Sequence, residues 1–199
     1  MVARPIIHVI DDDEAMRDSL AFLLDVQGFE PCLHESAGAF LASIGDRAAD
    51  CIVTDVRMPD MTGLDLVRRL KADGVTSPVI IMTGHGDIAL AVEAMKAGVI
   101  DFIEKPFANE ILIAAIGEAL QSRGQPRDAH LDAERRLANL SPRERDVLAG
   151  VVAGKVNKVI AHDLEISPRT VEIYRANLMS KTGARNFSEL MRIALAAGL

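Results

Sequence analysis

Cysteine is scarce in this sequence, and the two present, Cys32 and Cys51, have no metal-ligand spacing between them. Cys51 opens an apolar run and reads as a buried core thiol, and the pair fits a reducing cytoplasm. Long hydrophobic runs are missing too. The start, MVARPIIHVIDDD, has no apolar stretch of signal-peptide length before its acids begin. No run elsewhere approaches the roughly 18–20 residues of a membrane span, so a soluble, cytoplasmic protein without a membrane partner is expected. Internal repeats and low-complexity tracts are absent. What remains is ordinary globular material, 49% apolar and 26% charged, which excludes wholesale disorder.

At 199 residues the chain suits two domains. Its charge divides accordingly. From Asn139 onward nine basic side chains face six acidic ones, a net +3, which leaves −10 on residues 1–138 out of a total of −7. An acidic part joined to a basic part suggests that only the second meets nucleic acid; chance variation between domains explains the same numbers.

Two periodicities alternate through the first 121 residues. Short apolar runs at Ile6–Ile10, Cys51–Thr54, Val79–Met82 and Val99–Ile103, with a weaker one at Glu30–His34, suit buried strands of a parallel sheet. Amphipathic stretches of helical period fall at 15–27, 64–71, 87–97 and 109–120, with Gly28, Gly74 and Gly98 placed where helices stop. The order predicts a doubly wound, five-stranded parallel sheet with helices on both faces, spanning 1–121. Residues 122–138 break the rhythm and read as a linker, with Gly124 and Pro126 in QSRGQPRD and a short helix over His130–Leu140. Residues 139–199 predict a small all-α domain of four helices. Ser141-Pro142-Arg143-Glu144 has the form of a capping box that starts the first, which stops near Gly154. The others run over Val156–Leu164, from Ser167-Pro168 to Gly183, and over Phe187–Ala197.

Active groups of a doubly wound sheet collect at the carboxyl ends of its strands. Asp11, Asp12 and Asp13 follow the first run, Asp55 the third, Thr83 the fourth, and Lys105 and Pro106 the fifth. Singly, each has a plain reading as a helix start, a cap or a turn. Jointly they predict one site. Close carboxylates need a cation, and Mg²⁺ prefers oxygen ligands. Asp12 and Asp55 are candidates for direct ligation, with Asp11 acting through a water. The Asp55 carboxylate then attacks phosphorus, Lys105 supplies a cation and Thr83 a hydroxyl to the phosphoryl oxygens. A cis peptide bond before Pro106 would aim Lys105 back into the site.

IDDDE, TDVRMPDMTGLDL, TGHGD and FIEKPF resemble the signatures of response-regulator receiver domains, in an order that spans residues 5–121. The resemblance implies a flavodoxin-like fold, Asp55 as phosphoacceptor, Asp11 and Asp12 as the acidic pair, and the backbone carbonyl of Arg57 as a further Mg²⁺ ligand. It makes Thr83 and Phe102 the switch residues, with Phe102 replacing the commoner tyrosine, and Lys105 the site lysine. His85 lies two residues beyond Thr83, where it either tunes hydrolysis or is a solvated loop residue. Aspartyl phosphatases share the nucleophile but need a second acid two residues on, a position held by Arg57.

In the C-terminal part, Val156–Leu164, a short turn and Pro168–Gly183 have the layout of a helix-turn-helix, in which the second helix enters the major groove. Val171, Tyr174 and Leu178 share one face, read as buried. The same pattern also suits a plain helical bundle with a solvated basic side. The segment from LSPRE through NKVIA to SPRTVE resembles the LuxR-type helix-turn-helix over about 139–192, with Tyr174 in place of the usual histidine. A receiver followed by this domain is similar to the NarL/FixJ class, on its FixJ-like side. That implies a phosphorylation-dependent transcription regulator, a histidine kinase as donor, a homodimer on phosphorylation, and double-stranded DNA as partner. The implied DNA-binding residues are Lys155, Lys158, Arg169, Thr170, Glu172, Arg175 and Lys181. Glu172 either accepts from a cytosine amino group or only pairs with Arg169 or Arg175. A phosphate sink with a vestigial DNA domain is the rival reading.

Overall fold

The computed structural model describes residues 4–44, 49–84, 88–121 and 129–199. Five strands, β1 (Ile6–Ile10), β2 (Glu30–His34), β3 (Cys51–Asp55), β4 (Val79–Thr83) and β5 (Asp101–Glu104), lie parallel in the order β2-β1-β3-β4-β5. The order reverses direction between β1 and β3, and there the carboxyl ends of the strands open a crevice. The helices between them are α1 (Glu14–Val26), α2 (Ala37–Ser43), α3 (Gly63–Ala72), α4 (Ile88–Ala97) and α5 (Asn109–Gln121). Then come α6 (Ala129–Ala138), α7 (Pro142–Val152), α8 (Asn157–Asp163), α9 (Pro168–Thr182) and α10 (Phe187–Ala196). The chain divides into two compact units, residues 1–86 with 97–123 and residues 87–96 with 124–199.

Strand parity organises the first unit, because alternate side chains point to opposite faces. Ile7, Val9, Cys51, Val53, Ile80, Met82 and Ile103 face one way and form a buried core with Leu20 and Leu24 of α1 and Leu112 and Ile116 of α5. The other face carries His8, whose imidazole stacks on His34 with Phe40 of α2 edge-on to both rings. Burial, and then the neighbouring His8, push the His34 pKa down to about 4, so the His34 ring packs uncharged at neutral pH. Both faces are covered, which is why β3 and β4 are buried along their whole length.

Two details differ from the expected elements. The fifth strand starts at Asp101, not Val99. Val99 is buried before the strand begins, and the Asp101 carboxylate accepts the Phe102 N–H at 2.8 Å. The second difference is α2, seven residues long and capped by Ser36, which had no counterpart among the amphipathic stretches.

In the second unit the capping box forms as expected: Ser141 caps α7, and the Glu144 side chain returns to the Ser141 N–H at 2.8 Å. The expected short helix is α6, and it packs as a further member of this unit. Its Ala133 and Leu137 are buried, and Arg136 donates to the Thr182 carbonyl at 2.7 Å and to Glu189 at 3.0 Å. Of the residues read as linker, 122–138, those at 129–138 are this helix and those at 122–128 lie outside the described residues.

Candidate functional site

Asp11, Asp55, Thr83 and Lys105 all arrive at the carboxyl edge of the sheet, Asp11 one residue past β1 and Lys105 one past β5. Asp55 and Thr83 end their strands and are nearly inaccessible, at 8% and 0% exposure. The sheet register sets Asp55 beside Met82 and Thr83 beside Glu104. The Lys105–Pro106 peptide is cis, as expected.

The centre of the site is an ion triad. The Lys105 ammonium donates to Asp55 Oδ1 at 2.6 Å and to Asp11 Oδ2 at 2.7 Å. Burial by itself would lower the lysine's pKa, but the bonds to Asp11 and Asp55 outweigh it and the net shift is upward. The ammonium is therefore a fixed charge at neutral pH. The second oxygen of Asp55 accepts the Arg57 N–H at 2.6 Å, which fixes the plane of the carboxylate.

Asp11 is held more tightly than its sequence suggests. Its Oδ1 accepts the Asp13 N–H, its own N–H donates to the His34 carbonyl, and its carbonyl accepts from Arg17 at 2.8 Å. Arg17 was missing from the predicted set. The signal for it is thin: an arginine about one turn into the helix after an acidic run. Asp12 and Asp13 are both exposed, but only Asp13 is committed, capping α1 through the Ala15 and Met16 N–H groups. Phe102 is half-buried on β5, and His85 lies outside the described residues. Among the described residues, no three His, Cys, Asp or Glu side chains are grouped to hold a metal by themselves. The donor set at this edge is all oxygen: two ordered carboxylates, a free-standing third at Asp12, and the backbone around Arg57. That chemistry fits a hard cation retaining waters, and does not fit a soft metal.

The loop after β3 is closed by a near contact. A Cβ on Gly63 would lie 2.3 Å from the Asp55 carbonyl oxygen, and the Gly63 N–H donates to the Val56 carbonyl. The first residue of α3 thereby sits directly on the backbone of Asp55.

In the second unit, α8 and α9 are joined through Glu165, which has a positive φ of 55°. Val171 and Leu178 are fully buried and Tyr174 half-buried, as the helical face predicted. The seven residues expected at DNA do not share one environment. Arg169 is 85% exposed and lies 3.5 Å from Glu172, the pairing anticipated for that glutamate. Lys158 is exposed and Thr170, whose hydroxyl bonds to Ser167, is half-buried. Lys155 pairs with Asp163 at 2.7 Å. Lys181 reaches back to Glu144 at 2.7 Å, and Arg175 is half-buried, bonded to Asn157.

Glu144 itself is 2% exposed. The Lys181 ammonium, aided by the Ser141 N–H, holds its pKa down to about 2. A depressed carboxylate contributes stability that is whole above the unfolded value of 4.5 and lost as pH falls from there toward about 2. The thermal midpoint of the second unit should therefore drop as pH is lowered from 5 to 3, and Glu144→Gln should flatten that dependence. Calorimetric scans of both proteins check this; identical pH profiles would overturn it.

The comparisons with known proteins agree with this geometry. Residues 7–117 match the response regulator receiver domain, and residues 138–194 match the bacterial regulatory proteins of the luxR family. The transcriptional regulatory protein FixJ of Bradyrhizobium diazoefficiens is 49% identical over 100% of this chain and 98% of its own. FixJ of Azorhizobium caulinodans is 53% identical over 97% and 93%. Among solved structures, full-length FixJ from B. japonicum is 49% identical and covers 99% of this chain and 98% of its own, with a TM-score of 0.59. No helix among the described residues is long and apolar enough to cross a membrane. The chain belongs to the response regulators that join a receiver to a LuxR-type DNA-binding domain, and it is a phosphorylation-dependent transcription regulator, not an enzyme.

Proposed function

We propose that Asp55 is the phosphoacceptor and that residues 1–121 act as the receiver for a DNA-binding domain at 139–199. The observation that carries the reading is the Lys105 ammonium bridging Asp55 and Asp11 at 2.6 and 2.7 Å. It places a permanent cation where the oxygens of an incoming phosphoryl group would lie. A histidine kinase is the donor. An oxygen of the Asp55 carboxylate attacks phosphorus, the P–N bond to the kinase imidazole breaks, and the imidazole leaves with the bonding pair. Receiver domains generally bind Mg²⁺ at this site, and when bound it neutralises carboxylate and phosphoryl charge. Here Asp12, Asp55 and the Arg57 carbonyl would hold it, with Asp11, whose oxygens already serve Lys105 and Asp13, acting through water.

Thr83, on the strand beside Asp55, supplies a hydroxyl to the acyl phosphate, and Phe102, one strand further, changes its packing in response. This is a two-state element whose populations the phosphate shifts. The modified receiver forms a homodimer in the cytoplasm and brings two helix-turn-helix units to a two-fold site on double-stranded DNA. Arg169, Thr170 and Glu172 at the start of α9, with Lys158 and Lys155, face the DNA; exposed pairs such as Lys155–Asp163 are weakly held and exchange readily for phosphate. Lys181 belongs to the same basic edge, but moving it to a phosphate leaves the buried Glu144 uncompensated.

The test is a binding titration against a duplex selected from a random-sequence pool, with and without acetyl phosphate and Mg²⁺. Phosphorylation should tighten binding; equal affinity in both states would refute the regulated reading. The acid assignments have their own test. Asp12→Ala should weaken Mg²⁺ binding, read by calorimetry, by about tenfold or more, since losing even an outer-shell partner of a metal costs that much, whereas Asp13→Ala should mainly cost α1 its cap, about 1 kcal/mol. Equal Mg²⁺ losses, or a larger loss in Asp13→Ala, would show that the roles of the two acids are misassigned.

A further inference from the structure

Arg175 lies in the middle of α9, yet its head group does not point into free solvent. Nη1 donates to the Asn157 Oδ1 atom at 2.9 Å, and the guanidinium carbon sits 5.7 Å above the centroid of the Phe187 ring. Asn157 is the first residue of α8 and Phe187 the first of α10. One side chain therefore ties the opening turns of two helices to the middle of a third. The tie matters at α8 in particular, because its N-cap is Val156, which offers no side-chain cap. A planar, permanently charged fork suits this role: its edge bonds to an amide while its face covers an aromatic ring. Burial also draws the arginine's pKa below its usual range, a sign that the group has given up hydration. Arg169, two turns earlier on the same helix, is by contrast 85% exposed.

We propose that Arg175 is a positioning residue for DNA recognition: held between Asn157 and Phe187, it fixes α8 and α10 on α9 so that the exposed side of α9 meets the groove, and it makes no phosphate contact of its own. A helix-turn-helix reads DNA only if its two helices keep their relative placement. The inference rests on α9 being the DNA-reading helix.

Salt dependence separates positioning from contact. Each phosphate contact that is removed lowers the log–log salt slope by about one, whereas misplacement of a helix weakens binding at every salt concentration. The experiment uses the full chain phosphorylated with acetyl phosphate, and a duplex selected from a random-sequence pool by the wild-type protein. Arg169→Ala is the control. It should weaken binding and reduce the slope by about one; full affinity in that variant would remove α9 as the reading helix, and the inference with it. Arg175→Gln should weaken binding about tenfold with the slope unchanged, and Asn157→Ala should do the same. The double variant should be little worse than either single one, since both break the same tie. The inference is overturned if Arg175→Gln lowers the slope by about one while Asn157→Ala keeps wild-type affinity. Should Arg175→Gln fail to fold, the ring decides: Phe187→Leu is expected to lose affinity and Phe187→Tyr to retain it. Equal affinity in those two variants overturns the inference equally.

Discussion

Replacing Asp55 with asparagine is expected to reduce acetyl-phosphate labelling to background, the largest effect of any single substitution in this protein. An amide oxygen is too weak a nucleophile to attack phosphorus, and among the described residues no neighbouring carboxylate is placed to replace it. Asp11 has both oxygens engaged, one by Lys105 and one by the Asp13 N–H. Asp12 is exposed, outside the frame that orients Asp55 through the Arg57 N–H and Lys105. The change should leave the fold intact, because the one asparagine oxygen still accepts from one of the two donors and Lys105 keeps its bond to Asp11. Intact-mass measurement after incubation with acetyl phosphate and Mg²⁺ reads the result directly. Undiminished labelling of the variant would move the acceptor elsewhere.

The second large effect concerns salt. Phosphorylation should roughly double the slope of log affinity against log salt, from about −3.6 to about −7, if each DNA-binding unit makes about four phosphate contacts and two units act together. A fragment beginning at Ala129 supplies the one-unit reference. That starting point matters: α6 contributes Ala133 and Leu137 to the interior of its unit, so a fragment cut at 139 would lose part of its own core. Light scattering on the same samples should show the mass of the full chain doubling on phosphorylation. A phosphorylated chain that remains monomeric both free and on DNA would remove the dimer step.

How far the sequence carried depended on whether chemistry coincided with periodicity. The site at the sheet edge was legible because each reactive residue ends or follows an apolar run, and a parallel sheet gathers such ends at one edge. Only that topology joins Lys105 to Asp11, which lie 94 positions apart. Where the local signal was weak, the reading fell short. α2 is less than two full turns of AGAFLAS, too short to display a helical stripe, and β5 begins two residues late because an apolar run need not be a strand from its first member. Arg17 acts through a backbone carbonyl, a role that no residue pattern encodes. The basic residues of the second unit show the limit most clearly. A long cationic side chain can reach solvent, an acid across the fold or the face of a ring, so composition counted Arg169, Lys181 and Arg175 alike while packing sent them to three different destinations.

The contact between Gly63 and the Asp55 carbonyl constrains how this protein can change over time. A methyl group there would press against backbone, not against a side chain able to swing away, so no replacement can be absorbed by local adjustment. On this loop, variation is left to neighbours that face outward, and Arg57, Pro59 and Asp60 are exposed there. A fixed hinge beside a variable rim lets one chemistry be retimed for many signals while the reacting carboxylate stays where it is.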